Sequence, residues 1–122
     1  MVTPSQQLYT RSFDAPDQAF PIGSHARVEI VTLGPDQVHR ATFLPGFRWS
    51  EHVRPIVGTD LCELPHNGYA ISGRLGVRMA DGTEREVAPG DVFSIPPVGH
   101  DIWVIGNEPA LLIDYPPSGG HD

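Results

Sequence analysis

The fold class of this chain is constrained most by its short apolar runs. These runs alternate with polar residues and end at glycine and proline turns. Val28 and Ile30 alternate with Arg27 and Glu29, and similar runs recur as far as Tyr115. No window of about 11 residues carries the 3.6-residue periodicity of an amphipathic helix. About eight or nine short strands, with turn signals every ~8–12 residues, therefore predict an all-β sandwich or barrel.

The turn residues divide the chain into predicted strands. A first strand starts at Arg27 and ends before the Gly34-Pro35-Asp36 turn. The remaining predicted strands are 38–44, 47–53, 68–72, 75–80, 85–87, 92–95, 101–105 and 110–115. Asp81-Gly82 predicts a hairpin with a type I′ turn, which needs a positive φ at both positions. Residues 54–65 contain two prolines and predict a loop, which either covers the barrel mouth as a lid or lies outside it.

The length of the chain allows one domain. Its 122 residues and 13.3 kDa suffice for a hydrophobic core without disulfides or structural metals. We expect an N-terminal arm over residues 1–26, a β-barrel over 27–115 and a flexible tail over 116–122.

The composition excludes several classes of chemistry. All eight basic residues are arginines, so no lysine can form a Schiff base, bind PLP or serve a P-loop. The single cysteine, Cys62, allows no intrachain disulfide and no multi-cysteine zinc site. A net charge of −7 without a basic stripe argues against nucleic-acid binding. With no long apolar segment and no secretory signal visible, we expect a cytoplasmic protein that does not bind membranes.

Two sequence motifs point to a family. Gly46 and His52, followed by a strand that ends at Gly73, are similar to the first cupin motif. The segment from Gly90-Asp91 through Pro96 to His100 is similar to the second. Over about residues 27–115 the chain resembles a small single-domain cupin, which implies a double-stranded β-helix, or jelly-roll barrel.

The resemblance implies a bound metal, because such cupins hold iron, manganese, nickel or zinc with three histidines and a carboxylate. On these motif positions the metal ligands would be His52, His66 and His100. The first motif departs from the family pattern: Arg54 falls at the second-histidine position counted from Gly46, whereas Cys62 falls there counted from His66. The fourth ligand stays open between Cys62, Glu51, Asp60 and Glu63.

Strand alternation sorts the neighbours of these histidines. Ala70 shares the predicted face of His66, and Ile102 shares that of His100, which predicts a largely apolar substrate cavity. Arg48 and Arg54 share the predicted face of His52, where an arginine can clamp a carboxylate or phosphate. An ordinary ion pair at the barrel rim with Glu51, Asp60 or Glu63 is the equal alternative for these arginines.

The side chains on the opposite faces of these strands, and the three histidines outside the predicted metal site, are interpreted as structural rather than functional. Trp49, Val53, Tyr69, Ile71, Trp103 and Ile105 form an apolar set that we expect the N-terminal arm or a second subunit to cover, which favours a homodimer. His25, His39 and His121 are interpreted as an arm residue, a surface or sheet-edge residue and a tail residue.

The leading functional hypothesis is a metal-dependent cupin that acts on a small oxygenated or carboxylated metabolite. A non-catalytic module that binds or senses a small molecule is one alternative. A metal-free isomerase or cyclase, working through His66, His100 and either Tyr69 or Asp101, is another. The reaction type stays open because this fold hosts oxygenases, isomerases, decarboxylases and binding proteins.

Overall fold

The structure, a computed structural model, describes residues 6–115. This part of the chain folds into two antiparallel sheets with two short helices between the third and fourth strands. The elements are β1 (Gln18–Ile22), β2 (Ala26–Leu33), β3 (Asp36–Phe43), α1 (Trp49–His52), α2 (Arg54–Val57), β4 (His66–Ser72), β5 (Arg74–Met79), β6 (Glu84–Val87), β7 (Val92–Ile95), β8 (His100–Ile105) and β9 (Ala110–Asp114). The strand order is β1-β2-β3-β9-β4-β7 in the large sheet and β6-β5-β8 in the small one. The all-β prediction is confirmed.

The alternation of apolar and polar residues produces the core. Val28 and Ile30 of β2 are buried, and Arg27 between its buried neighbours is exposed. Across the ladder Val28 pairs with Ala41 of β3, which is also buried. Leu75 and other buried side chains of the small sheet belong to the same core cluster. The hydrophobic core therefore lies between the two sheets, as a β-sandwich requires.

Strand β1 falls within the segment predicted as an arm, and it adds an edge to the large sheet. Gln18 pairs with Ile30, and Ile22 pairs with Ala26. Pro21 is tolerated in this position because an edge strand can leave one side without ladder hydrogen bonds. The predicted tail, 116–122, and His121 within it lie outside the described residues.

The predicted strand over residues 47–53 is wrong, because this segment forms α1 and leads into α2. Trp49 and Val53 are both buried, and a spacing of four residues places two side chains on one face of either a strand or a helix. The N–H of Val53 donates to the carbonyl of Trp49 at 2.9 Å, as in a helical turn. Gly58, with φ of 84°, ends α2 in the left-handed conformation.

The predicted hairpin between β5 and β6 is confirmed, but its turn is not type I′. Gly82 has a φ of 92°, and within residues 6–115 no residue other than glycine has a positive φ. Asp81 therefore lacks the positive φ that a type I′ turn requires. Its carboxylate instead accepts a hydrogen bond from the N–H of Thr83 at 2.9 Å, as turn aspartates commonly do.

The apolar set expected on one outer face divides between two environments. Trp49 and Val53 are buried, because the helical turn directs them into the core. Tyr69 and Ile71 remain 44% and 42% exposed. Neither short helix, nor any other helical segment in residues 6–115, is long and apolar enough to cross a bilayer.

Candidate metal centre

Cys62 and His100 are held together by a pair of backbone hydrogen bonds. The N–H of Cys62 donates to the carbonyl of His100 at 2.9 Å, and the N–H of His100 donates back at 3.0 Å. This short bridge ties the segment after α2 to the first residue of β8. The cysteine is 5% exposed and the histidine fully buried, so both side chains lie out of solvent.

His66, the first residue of β4, completes a cluster with these two residues. Its Nε2 lies 3.7 Å from the Sγ of Cys62, and its ring meets the His100 ring edge-on at a centroid distance of 5.5 Å. One ligand atom from each of Cys62, His66 and His100 lies within 4.8 Å of the other two. Among residues 6–115 this is the one group of three or more such side chains close enough to hold an ion.

The ring of His100 has one nitrogen paired and one unpaired. Its Nδ1 lies 2.9 Å from the carbonyl oxygen of Val98, which can only accept, so Nδ1 carries the proton. Nε2 is the nitrogen left available to bind an ion, and this buried atom has no hydrogen-bond partner. A buried polar atom without a partner is costly. An ion bound by this nitrogen would satisfy it, so the residues present fit a metal.

His66 is oriented from its other side by Asp114, the last residue of β9. The Nδ1 of His66 donates to Oδ2 of Asp114 at 2.9 Å. The other carboxylate oxygen accepts the backbone N–H of Asn67 at 3.3 Å. Nε2 therefore faces Cys62, the arrangement by which a carboxylate commonly orients a histidine that binds a metal.

The neighbours of Cys62 and His66 shift their pKa values in opposite directions. Burial raises the pKa of the Cys62 thiol, but the adjacent imidazoles of His100 and His66 outweigh burial and lower it to about 6. Burial lowers the pKa of His66, but hydrogen bonds to Asp114 and Cys62 outweigh burial and raise it to about 9. Near neutral pH the metal-free protein therefore holds a thiolate beside an imidazolium.

A cavity of about 610 Å³ opens beside this cluster, between the two sheets. Cys62, His66 and Asp114 line it together with apolar side chains. Val57, Thr59, Glu63 and Leu64 also line it, so the segment predicted as a loop contributes to the cavity wall.

Sequence reasoning missed two residues of this site, Asp114 and His39. His39 lines the cavity and stands opposite Asp114 in the β3–β9 register. Burial lowers the pKa of His39, although the Asp114 carboxylate acts to raise it. The one sequence signal for Asp114 was an acidic residue near the end of an otherwise apolar strand.

His52 lies outside the cluster of Cys62, His66 and His100. It ends α1, where its ring lies 4.1 Å from the ring of His25 and stacks on Phe47 at 5.9 Å. Its Nδ1 lies 3.1 Å from the backbone nitrogen of Arg48, whereas the guanidinium of Arg48 is directed to Asp101. The structure thus brings together three of the four residues predicted as metal ligands.

The predicted substrate-binding residues also divide. Ile102 lines the cavity, whereas Ala70 is buried in β4 and is not part of the cavity wall. Arg48 donates to Asp101 at 3.2 Å and lies 4.6 Å over the ring of Trp103, away from the cavity. Arg54 is exposed on α2.

The acidic residues considered as a fourth ligand are all exposed. Glu51 and Asp60 are not part of the cavity wall, whereas Glu63 is. None of the three belongs to the group of side chains within ligand distance of one another in the described part of the chain.

Comparison with known proteins identifies the fold. No family model matches the sequence, and no curated protein does either. KdgF from Halomonas sp. has a TM-score of 0.57 at 23% identity, over 86% of this chain and 91% of that protein. A protein of unknown function from Acidithiobacillus ferrooxidans has a TM-score of 0.57 at 16% identity, over 93% and 98%.

A domain of a larger enzyme is also similar. Bacillus subtilis oxalate decarboxylase, a protein with Mn(II) centres, matches with a TM-score of 0.50 and 25% identity, over 78% of this chain but 26% of that one. Its resemblance agrees with the two motifs and the two-sheet topology. The chain is therefore a small protein with the cupin fold, and it carries a buried Cys/His/His cluster that can hold a metal ion.

Proposed function

We propose that this protein is a metal-dependent cupin that acts on a small oxygenated molecule bound in the cavity between its sheets. One divalent transition metal would be held by Cys62, His66 and His100. The observation that carries the proposal is the buried, unpartnered Nε2 of His100, which lies within 4.8 Å of the ligand atoms of the other two residues.

The donor set favours some metals over others. A thiolate with two imidazoles suits zinc, nickel or iron better than manganese, which prefers oxygen ligands. Three protein ligands also leave a coordination position for water or substrate, as in catalytic zinc sites. When bound, the ion would supply Lewis-acid polarisation of a substrate oxygen.

The residues around the cluster would prepare it for that chemistry. Asp114 holds His66 in one orientation, and the carbonyl of Val98 holds His100 in the tautomer whose Nε2 can bind. The apolar wall keeps water away from the bound molecule, which strengthens the polar interactions within the site.

The test is metal content and uptake. Protein purified without chelator is expected to contain zinc, nickel or iron, and metal-free protein is expected to take up one equivalent of Co(II) with a thiolate charge-transfer absorption. His100→Ala should weaken Co(II) binding by about 100-fold or more. His25→Ala is the matched control, because His25 lies outside the cluster.

Two outcomes would overturn the proposal. One is less than about a tenth of an equivalent of metal, with no uptake on titration. The other is His100→Ala protein that binds Co(II) as tightly as the wild type and keeps the charge-transfer band.

A further inference from the structure

The cavity is lined mainly by hydrocarbon from both sheets. Val28, Ala41 and Leu112 contribute from the large sheet, and Leu75, Val77 and Ile102 from the small one. Its volume of about 610 Å³ lies in the range of small-molecule sites. A ligand of this size would bury most of its surface against apolar atoms, so its body should itself be apolar.

The charged groups of the cavity wall do not suit an anionic ligand. No arginine is among the residues of the described chain that line it, and the sequence has no lysine. Two carboxylates do line it, those of Glu63 and Asp114. The imidazole of His66 already donates to Asp114. A carboxylate ligand would therefore lose its water without gaining a guanidinium or ammonium partner, which is costly. A divalent ion at the cluster would already be offset by the Cys62 thiolate and by these two carboxylates.

The polar atoms of the wall are concentrated at the metal cluster. Cys62, His66 and Asp114 are joined by contacts of 3.7 Å and 2.9 Å. His39 stands opposite Asp114 in the sheet and also lines the cavity. A ligand with a single polar oxygen can direct that oxygen toward these groups and leave its hydrocarbon body against the apolar wall.

We propose that the molecule bound in this cavity is uncharged and mainly hydrocarbon, with one hydroxyl or carbonyl oxygen directed toward Cys62 and His66. This inference rests on the proposed function, since it names the substrate class of the same site. It also replaces a carboxylated metabolite held by Arg48 or Arg54, because neither arginine is part of the cavity wall.

The test uses two ligands of matched shape and different charge, methyl cyclohexyl ketone and cyclohexanecarboxylate. Trp49 lines the cavity and Trp103 does not, and the chain has no other tryptophan. Trp103→Phe protein therefore has one emitter, in the cavity wall. In the metal-free protein the ketone is expected to change this emission, with an affinity at least about tenfold higher than that of the carboxylate.

A cavity-filling variant links the signal to this site. Ala41→Phe places a ring among the lining residues and should reduce ketone affinity by about tenfold or more. Ala19→Phe, on the exposed edge strand β1, is the matched control and should leave it unchanged. Circular dichroism and thermal unfolding establish that each variant is folded.

The outcomes separate this inference from the proposed function. A carboxylate that binds as tightly as the ketone, or more tightly, overturns the inference even if the metal is bound. If the protein takes up no metal but still prefers the ketone, the proposed function fails and the inference stands. Ketone affinity unchanged by folded Ala41→Phe also overturns it.

Discussion

His66 Nδ1 and Asp114 Oδ2 lie 2.9 Å apart, although the two residues are 48 positions apart in sequence. The contact forms because β4 and β9 are neighbours in the large sheet, where Gly68 pairs with Asp114. It leaves the other nitrogen of His66 facing the Sγ of Cys62 at 3.7 Å. The orientation of one candidate ligand is thus fixed by a strand at the far end of the chain.

Asp114→Asn tests this positioning role. The amide oxygen can still accept the hydrogen bond from His66, although the NH2 group cannot replace the oxygen that accepts from Asn67. Because the amide carries no charge, the pKa of His66 should fall from about 9 toward its ordinary value. Because a bound metal displaces the proton from Nε2, wild-type zinc affinity should rise with pH up to about 9, and that of the variant should level off at lower pH. Above that range the less basic ligand should bind zinc about tenfold more weakly.

Zinc competition with a chelator across pH measures both effects. A purely structural role for Asp114 would lower the unfolding temperature but leave the shape of the pH profile unchanged. Superimposable profiles for wild type and Asp114→Asn would therefore contradict the positioning role.

The strands were predictable from sequence because their side chains alternate between core and solvent. The helix α1 was not, since the four-residue spacing of Trp49 and Val53 suits a helical turn as well as a strand. The helix α2 lies where two prolines predicted a loop, and a proline is tolerated in the first turn of a helix. The unpredicted helix α1 also changes the candidate site. Motif spacing predicted His52 beside the other ligands, whereas the helical turn places it against His25.

The sequence predicted only those residues of the candidate site that lie at or near a motif position. His66 and His100 fit the cupin motif positions, and Cys62 was an alternative for the remaining ligand. Asp114 and His39 were not predicted, because their proximity to His66 depends on which strands become neighbours. The sequence around a polar residue in a strand does not indicate which residue of another strand it will contact.

His52→Ala tests the four-ligand set implied by the cupin motifs. Its ring packs against those of His25 and Phe47 and lies outside the cluster, so the variant should bind zinc within about twofold of wild type. The measurement is chelator competition beside His100→Ala. A loss for His52→Ala as large as that for His100→Ala would place His52 in the metal shell after all.

The thiol of Cys62 is expected to react as a thiolate at unusually low pH. Its pKa of about 6 in the folded, metal-free protein means that alkylation by iodoacetamide should rise through pH 6 and level off by neutral pH. An ordinary cysteine would do so near pH ~8.5. Since the folded pKa is lowered, the thiolate's contribution to stability is present above the unfolded pKa and is lost as pH falls through about 6.

Mass spectrometry follows the reaction without ambiguity, because the chain has one cysteine. Bound zinc should protect the thiolate and slow alkylation, whereas magnesium, which prefers oxygen ligands, should not. An apparent pKa of ~8 or above in the metal-free protein would contradict the charged pair of Cys62 and His66.

Gly68→Ala should destabilise the protein and disturb the cluster together. A Cβ at this position would overlap the carbonyl oxygen of Ile113 in β9 and lie 2.8 Å from the ring of Phe93. The backbone of β9 would have to shift, and Asp114 with it, at a cost of about 3 kcal/mol in the free energy of unfolding. Gly90→Ala, with open space around it but a φ of 94°, should cost about 1 kcal/mol. Urea denaturation compares the two, and equal losses would contradict the close approach of β4 and β9.

The exposed apolar side chains of the large sheet lead us to expect a homodimer. Tyr69 is 44% exposed and pairs across the ladder with Val92, which is 81% exposed, and Ile71 nearby is 42% exposed. An apolar patch of this kind favours association with a second copy. Light scattering at micromolar concentration should give the mass of a dimer, and the double variant Tyr69→Glu with Val92→Glu should give that of a monomer.

Leu8→Glu, in the exposed segment before β1, is the matched control and should remain dimeric. A monomeric wild type at that concentration would contradict the expectation, and a dimer unaffected by the paired substitutions would place the interface elsewhere.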